Sequence, residues 1–462
     1  MRSCIDFFLT RPARAGLLLL AVFLSGCGGG GPAQPVAIEI FFTSQTRGRL
    51  THCGCFSGQF GGIARLRSAL ESLPPAQRFG VDVGDALEGV EDYHLLKHRQ
   101  VLKAYAGLGY AALNAGAREA ALPADTLRAL AAESPVPFIS ANLRDRATGA
   151  PLLKGWTITE RGGRRLALVG VVAPDALAGE PGEGVEIEPI ETCLARVLPE
   201  LKGKADAIVL LAYADEATLV ALAEKFYELA AILGGDVRQP AQRLVRENRS
   251  LVYFTGNDSK SYGRLELKVG RGGVTEAGAH DITLLTDQYP ENHDVLALLA
   301  TYRAEARAAT LGVDDPARAL AGRVPGVRSA AEFVGSESCV ACHATAATTW
   351  HGSAHAHAFD VLVARGADAD PSCNACHTVG FGAPGGYRRE FKETRLTHVG
   401  CESCHGPGSR HVEERRSGGP ITFQFRPLGP GDCQKCHHGE FSRPFDYDQF
   451  WPHIRHGKEP TL

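Results

Sequence analysis

The stretch "HVGCESCHGPGSRH", His398 to His411, gathers two cysteines and three histidines. Its centre is a cysteine pair, Cys401 and Cys404, with His405 directly behind the second thiol. Two chemistries use such pairs. Zinc takes CxxC knuckles that converge from separate turns, and nothing in that geometry requires a histidine beside every pair. A covalently held haem does require it. The two thiols add to the vinyl groups as thioethers, and the adjoining imidazole reaches the iron on one face. The pattern occurs four times: "CVACH" from Cys339, "CNACH" from Cys373, "CESCH" from Cys401 and "CQKCH" from Cys433. Four repeats that each keep the histidine decide for haem c. The attachment cysteines are Cys339, Cys342, Cys373, Cys376, Cys401, Cys404, Cys433 and Cys436. The proximal iron ligands are His343, His377, His405 and His437.

The ligand on the second face of each haem sets what the segment does. Methionine is excluded, because Met1 is the only one and belongs to the leader. Histidine is abundant: His351, His355, His357, His398, His411, His438, His453 and His456 share the segment. Two imidazoles per iron forgo the potential-raising methionine and leave no open position, which describes an electron carrier. From 334 to 462 glycine and proline are frequent and long apolar periodicity is lost, so a mainly α domain packed on its haems is expected.

The leader carries Arg11 and Arg14 before the apolar run "GLLLLAVFL", which is short for a membrane span. "LSGC", Leu24 to Cys27, resembles a bacterial lipobox, with Cys27 as the lipidated residue; secretion with an incidental cysteine is the alternative. Residues 1–26 are expected to be a signal peptide and 27–35 a glycine-rich tether. The expected location is the periplasmic face of a membrane, outer rather than inner, with a lipid as anchor. A net charge of −3 and the lack of a basic run exclude a nucleic-acid partner.

Residues 36–290 alternate short buried strands with helices. "VAIEIFFTS", "RFGVDVGD", "RRLALVGVVA", "DAIVLLAYA", "LAAILGGD" and "SLVYFTGN" read as strands, and "GGIARLRSALESL" as a helix. This alternation predicts an α/β domain. A helix and a looser linker fill 291–333.

The C-terminal segment resembles the periplasmic tetrahaem cytochromes c that accept electrons during hydroxylamine oxidation, over nearly all of 334–462. The matching stretches are "CVACHATAATTWHGSAH", "CNACHTVGFG", "HVGCESCHGPGSRH" and "CQKCHHGEFSRPFDYDQFWPHIRHG". The resemblance implies electron transfer to redox partner proteins. It implies distal ligands at His355, His398, His411 and His456, with His351 the rival of His355; in some relatives one haem lacks a protein ligand there. An open haem acting on a small nitrogen or sulfur species is the enzymatic alternative.

The α/β region resembles 5′-nucleotidase-type metallophosphoesterases, which implies a four-layer sandwich. That family holds two metals through "TNDxHG", "GD", "GNHE", a histidine after a strand, and "GHxH". Here the corresponding positions are Gln45, Arg47, Asp85, Ala117, Arg118, Tyr213, Asp236 and Arg238, and only Asp85 is kept. The resemblance thus implies a pseudo-enzyme fold, with residual hydrolase activity as a further alternative. Arg47, Arg118 and Arg238 would converge in the old site, either as an anion pocket or neutralised by Asp85, Glu119 and Asp236. Cys53 and Cys55 border it as a disulfide or a redox pair. Cys193 is expected in the core, and His94, His98, His280 and His293 at the surface.

Overall fold

The computed structural model describes residues 34–52, 59–71, 73, 78–256, 258–309, 332–389, 394–438 and 442–457. The leader with Cys27, and the pair Cys53 and Cys55, lie outside them. By contacts the chain divides into Met1–Gln34 and Pro35–Leu462, and the described strands and helices all belong to the second unit.

The α/β domain opens with β1 (Val36–Thr43), α1 (Ile63–Ala69), β2 (Gly80–Asp82), α2 (Asp92–Leu108) and β3 (Tyr110–Asn114). It continues through α3 (Ala117–Ala120), α4 (Ala124–Glu133), β4 (Phe138–Ile139), β5 (Leu143–Asp145), β6 (Trp156–Arg161) and β7 (Arg164–Val172). Then come β8 (Val185–Ile187), α5 (Ile190–Leu201), β9 (Ala207–Tyr213), α6 (Glu216–Lys225) and β10 (Ala231–Gly234). It closes with β11 (Val245–Glu247), β12 (Ser250–Phe254), β13 (Ser261–Gly270) and β14 (Gly273–Leu284).

Two sheets of six strands result, ordered β14-β13-β1-β2-β3-β4 and β11-β12-β10-β9-β7-β6. Strand β1 shows why they stack. Ile38, Ile40 and Phe42 enter one core with β7, β9 and β10 of the second sheet, while Phe41 faces the other way, toward α1 and α2. The period of two in a strand divides these side chains between the layers. Strands β7, β9, β10 and β12 run parallel and are buried on both faces, so they read as unbroken apolar runs. Helices α5 and α6 cover the far side of the second sheet, completing four layers. All six strands expected from the sequence are present. The β13–β14 hairpin was not foreseen: half-exposed β14 has no long apolar run.

Helix α7 (His293–Ala308) packs on α2 and is capped by Asn292, whose side chain accepts from the Asp294 and Val295 N–H groups at 3.0 and 3.4 Å. The C-terminal segment consists of short helices: α8 (Glu337–Val340), α9 (Ala344–His351), α10 (Ala358–Ala364), α11 (Pro371–His377) and α12 (Cys401–His405). These are followed by α13 (Ser409–Ser417), α14 (Pro430–Cys433) and α15 (Tyr447–Phe450). Its own apolar cluster is small, centred on Phe333, Val379, Ala383, Tyr387 and Leu396. Among the described residues no helix is long and apolar enough to cross a membrane.

Candidate haem sites and the pocket of the α/β domain

Each CxxCH motif lies on a helical turn. His343 N–H donates to Cys339 O at 3.0 Å and His437 N–H to Cys433 O at 2.9 Å, while α11 and α12 contain their motifs whole. Residues i, i+3 and i+4 share one helical face, so both thiols and the imidazole point to the same side. Gly406, at φ 88°, then turns the chain out of α12.

Tertiary packing brings distant histidines opposite these imidazoles. The ring centroids of His343 and His411 lie 6.1 Å apart, those of His437 and His355 5.9 Å, and those of His405 and His456 5.9 Å. A metal–imidazole bond is about 2 Å, so two rings ligating one ion stand on the order of 6 Å apart. The three pairs therefore fit an iron between them, and the residues fit bis-histidine haem. Burial lowers the imidazoles of His355, His405, His411 and His437 from their ordinary pKa, which favours the neutral form a metal needs. His411 serves the first motif and His355 the fourth.

His398 departs from expectation. It stands at φ 67°, and its Nδ1 accepts the Phe359 N–H at 3.3 Å instead of facing a motif imidazole. The structure places no motif imidazole opposite His398, unlike His355, His411 and His456. All seventeen histidines lie among the described residues, and none is placed opposite His377, whose Nδ1 is 2.7 Å from Ala358 O. His351 is exposed beside Trp350, so His355 prevails over it. Sequence reasoning missed Phe425, which packs against both His405 and His411 at 5.6 and 5.2 Å, and Phe445, stacked on His437 at 4.9 Å. Isolated phenylalanines in an irregular segment carry no periodic signal. The Cys339 and Cys401 side chains are neighbours, so the first and third motifs lie together.

Residues 338–406 match the family model for cytochrome c554 and c-prime. Cytochrome c-554 of Nitrosomonas europaea is 38% identical over 104 residues, which are 19% of this chain and 44% of that protein. The C-terminal segment is a c-type cytochrome. It binds haem c covalently, and the chain spans less than half the length of the curated relative it matches. The α/β domain has the 5′-nucleotidase-type fold. A sulfate thiohydrolase of Thermus thermophilus superposes with a TM-score of 0.52 at 18% identity, over 60% of this chain and 62% of that one. A 5′-nucleotidase precursor from the same organism gives 0.52 at 20%, over 59% of each. At such identities the likeness is one of fold. The chain thus joins a cytochrome to a nucleotidase-type domain.

In that domain the loops that carry Asp85 and Arg118 meet closely. A Cβ on Gly84 would stand 2.8 Å from Gly116 Cα, and one on Gly116 would stand 2.4 Å from Asp85 N, so the two loops need glycine where they touch. Gln45, Arg47, Asp85 and Asp258 all hold positive φ here, a strained backbone of the kind that gathers at functional sites. Asp85 is spoken for. It accepts from Tyr213 Oη at 2.6 Å and from the Arg118 backbone at 2.9 Å, and pairs with the guanidinium groups of Arg118 at 3.5 Å and Arg47 at 3.8 Å. Arg47 also pairs with Asp258, and Arg118 donates to Glu88 O.

Glu119 and Asp236, expected as the arginines' partners, form no ion pair with them: Glu119 accepts the N–H groups of Asp85, Leu87 and Gly116. Asp258 takes part of that place. A pocket of about 870 Å³ opens beside these groups, lined by Arg47 and exposed Arg238 but also by Asp215, Glu216, Asp236 and Asp258. Three arginines do not converge in it. Burial, with Asp85 and Asp215 near, pushes the Asp236 carboxyl above its ordinary value, so the lining does not favour an anion. Among the described residues no cluster of three or more metal-binding side chains exists. With Asp85 taken by cations and a phenol, the residues do not fit a two-metal centre. His98, expected at the surface, is fully buried.

Proposed function

We propose that this chain is an exported, lipid-anchored tetrahaem cytochrome c that passes single electrons between redox proteins, with its α/β domain a pseudo-enzyme. The observation that carries the reading is the placing of His411, His355 and His456 opposite His343, His437 and His405 at about the separation of two ligands on one iron. Haem held between two imidazoles supplies one-electron transfer without an open coordination position. The chain's part is to anchor each group through paired thiols, to favour the neutral form of His355, His405, His411 and His437 by burial, and to pack Phe425 and Phe445 against the paired rings. The anchoring rests on "LSGC" at Cys27 and the haem count on the four motifs. The pseudo-enzyme reading rests on the engagement of Asp85 by Arg47, Arg118 and Tyr213. His377, which faces no second imidazole, favours a second reading in which that one haem acts on a small nitrogen or sulfur species.

Haem quantification and low-temperature electron paramagnetic resonance on the holoprotein test both readings. Four haems per chain are expected, three low-spin and one high-spin. Fewer than four, or zinc in their place, overturns the first reading; four low-spin centres overturn the second.

A further inference from the structure

The α/β domain touches the cytochrome segment where helix α11 begins, and α11 carries the second attachment motif. Asp370 caps this helix: its Oδ1 accepts the Ser372 N–H at 3.0 Å. The other oxygen, Oδ2, faces Lys97 Nζ of α2 at 3.8 Å. Lys97 also donates to Glu88 Oε2 at 2.7 Å and lies 5.1 Å from the centre of the Tyr302 ring on α7. The group is enclosed, with Lys97 9%, Asp370 7% and Tyr302 0% exposed. Helix α7 holds the same approach to α11: Arg307 pairs with Asp368 at 2.6 Å, and Arg303 donates to Arg365 O at 2.8 Å. Inside the motif, Asn374 donates back to Asp368 O at 3.1 Å. Two helices outside the cytochrome segment thus grip the entry to its second haem motif.

A buried ammonium is costly unless carboxylates balance it. Here burial pulls the Lys97 ammonium down, and Asp370 and Glu88 more than reverse the effect, so it stays charged. The seven residues of α11 put its cap about 10 Å from His377, within reach of electrostatics in a protein interior.

We propose that Lys97 is a positioning residue of the second haem: through Asp370 it fixes α11, and its charge makes the iron ligated by His377 easier to reduce. The sign follows from charge, since a nearby cation favours the state that holds an additional electron. The nucleotidase-type domain thereby sets the redox poise of one haem. This inference rests on the tetrahaem reading.

The test uses the full-length holoprotein. Haem is first counted in the wild type: fewer than four sinks the tetrahaem reading itself, while four leaves Lys97 alone in question. Potentiometric titration then follows the haem whose signal is lost in His377→Ala. Lys97→Met is expected to make its reduction on the order of tenfold less favourable, about 59 mV for a one-electron couple. Lys97→Arg should stay near wild type. Asp370→Asn, which keeps a capping oxygen, should shift the same haem the other way. Unchanged potentials in Lys97→Met with full haem content overturn the proposal, as do equal shifts of all the haems. Should Lys97→Met not accumulate, Asp370→Asn decides: no shift, or one toward harder reduction, overturns it.

Discussion

Glu402 sits between the cysteines of the third motif and is 2% exposed. Its carboxylate accepts the N–H groups of Val334, Gly335 and Gly408 at 3.0, 2.8 and 2.7 Å. One side chain thus ties the start of the cytochrome segment to the loop after α12. Burial raises its pKa, and the three donors oppose that. Glu402→Ala would leave three enclosed donors unpaired and is expected to cost about 3 kcal/mol, read as a lower denaturation midpoint and reduced haem retention. His98 permits a pH test. Burial holds its imidazole at about 4, against 6.5 ordinarily. A depressed base contributes stability that is present above pH 6.5 and lost as pH falls toward 4, because only the unfolded chain takes up the proton. The fall corresponds to roughly 3 kcal/mol. Denaturant titrations at pH 7 and pH 4 should show His98→Leu losing much of that acid sensitivity; an unchanged slope would contradict the assignment.

At the scale of elements, a helical turn suffices to aim two thiols and an imidazole at one group, and the chain repeats that solution four times. For three of the four motifs a second imidazole comes from elsewhere: His355 follows α9, His411 lies on α13, and His456 follows α15. Replacing any one by alanine should convert one low-spin haem to high-spin and leave the haem count unchanged. His398→Ala should leave the spin states as they are, since that ring stands opposite no motif imidazole, unlike those of His355, His411 and His456. A low-spin signal lost in His398→Ala would restore it as a ligand. The motifs and the reserve of histidines were legible as residue types. The pairing was not, because it depends on how short helices without strong amphipathic pattern fold back on one another.

For the molecule as a whole, the pseudo-enzyme proposal turns on a 5′-nucleotidase-type fold whose central carboxylate is already engaged. The sheets still bring Asp85, Arg47, Arg118 and Tyr213 to one place, but the cations now answer Asp85 directly. With manganese or zinc added, the full-length protein is expected to show no turnover of nucleotides or a generic phosphate ester; clear activity abolished by Asp85→Ala would refute the pseudo-enzyme reading. Helices α2 and α7 contact the segment that leads into the second motif through Lys97–Asp370 and Arg307–Asp368.

The four CxxCH motifs and the parallel strands of the α/β domain follow from local sequence, because covalent spacing and apolar runs act over a few residues. That Arg47, Arg118 and Arg238 are no metal ligands was equally legible, since arginine stays protonated and cannot ligate. Only the tertiary structure decided which distant histidine stands opposite which motif imidazole, and that Arg47 turns to Asp258. It alone placed Lys97 of α2 against Asp370, residues that nothing in the sequence connects. These are pairings across long separations, and the folding of layers against one another fixes them, not the pattern within any segment.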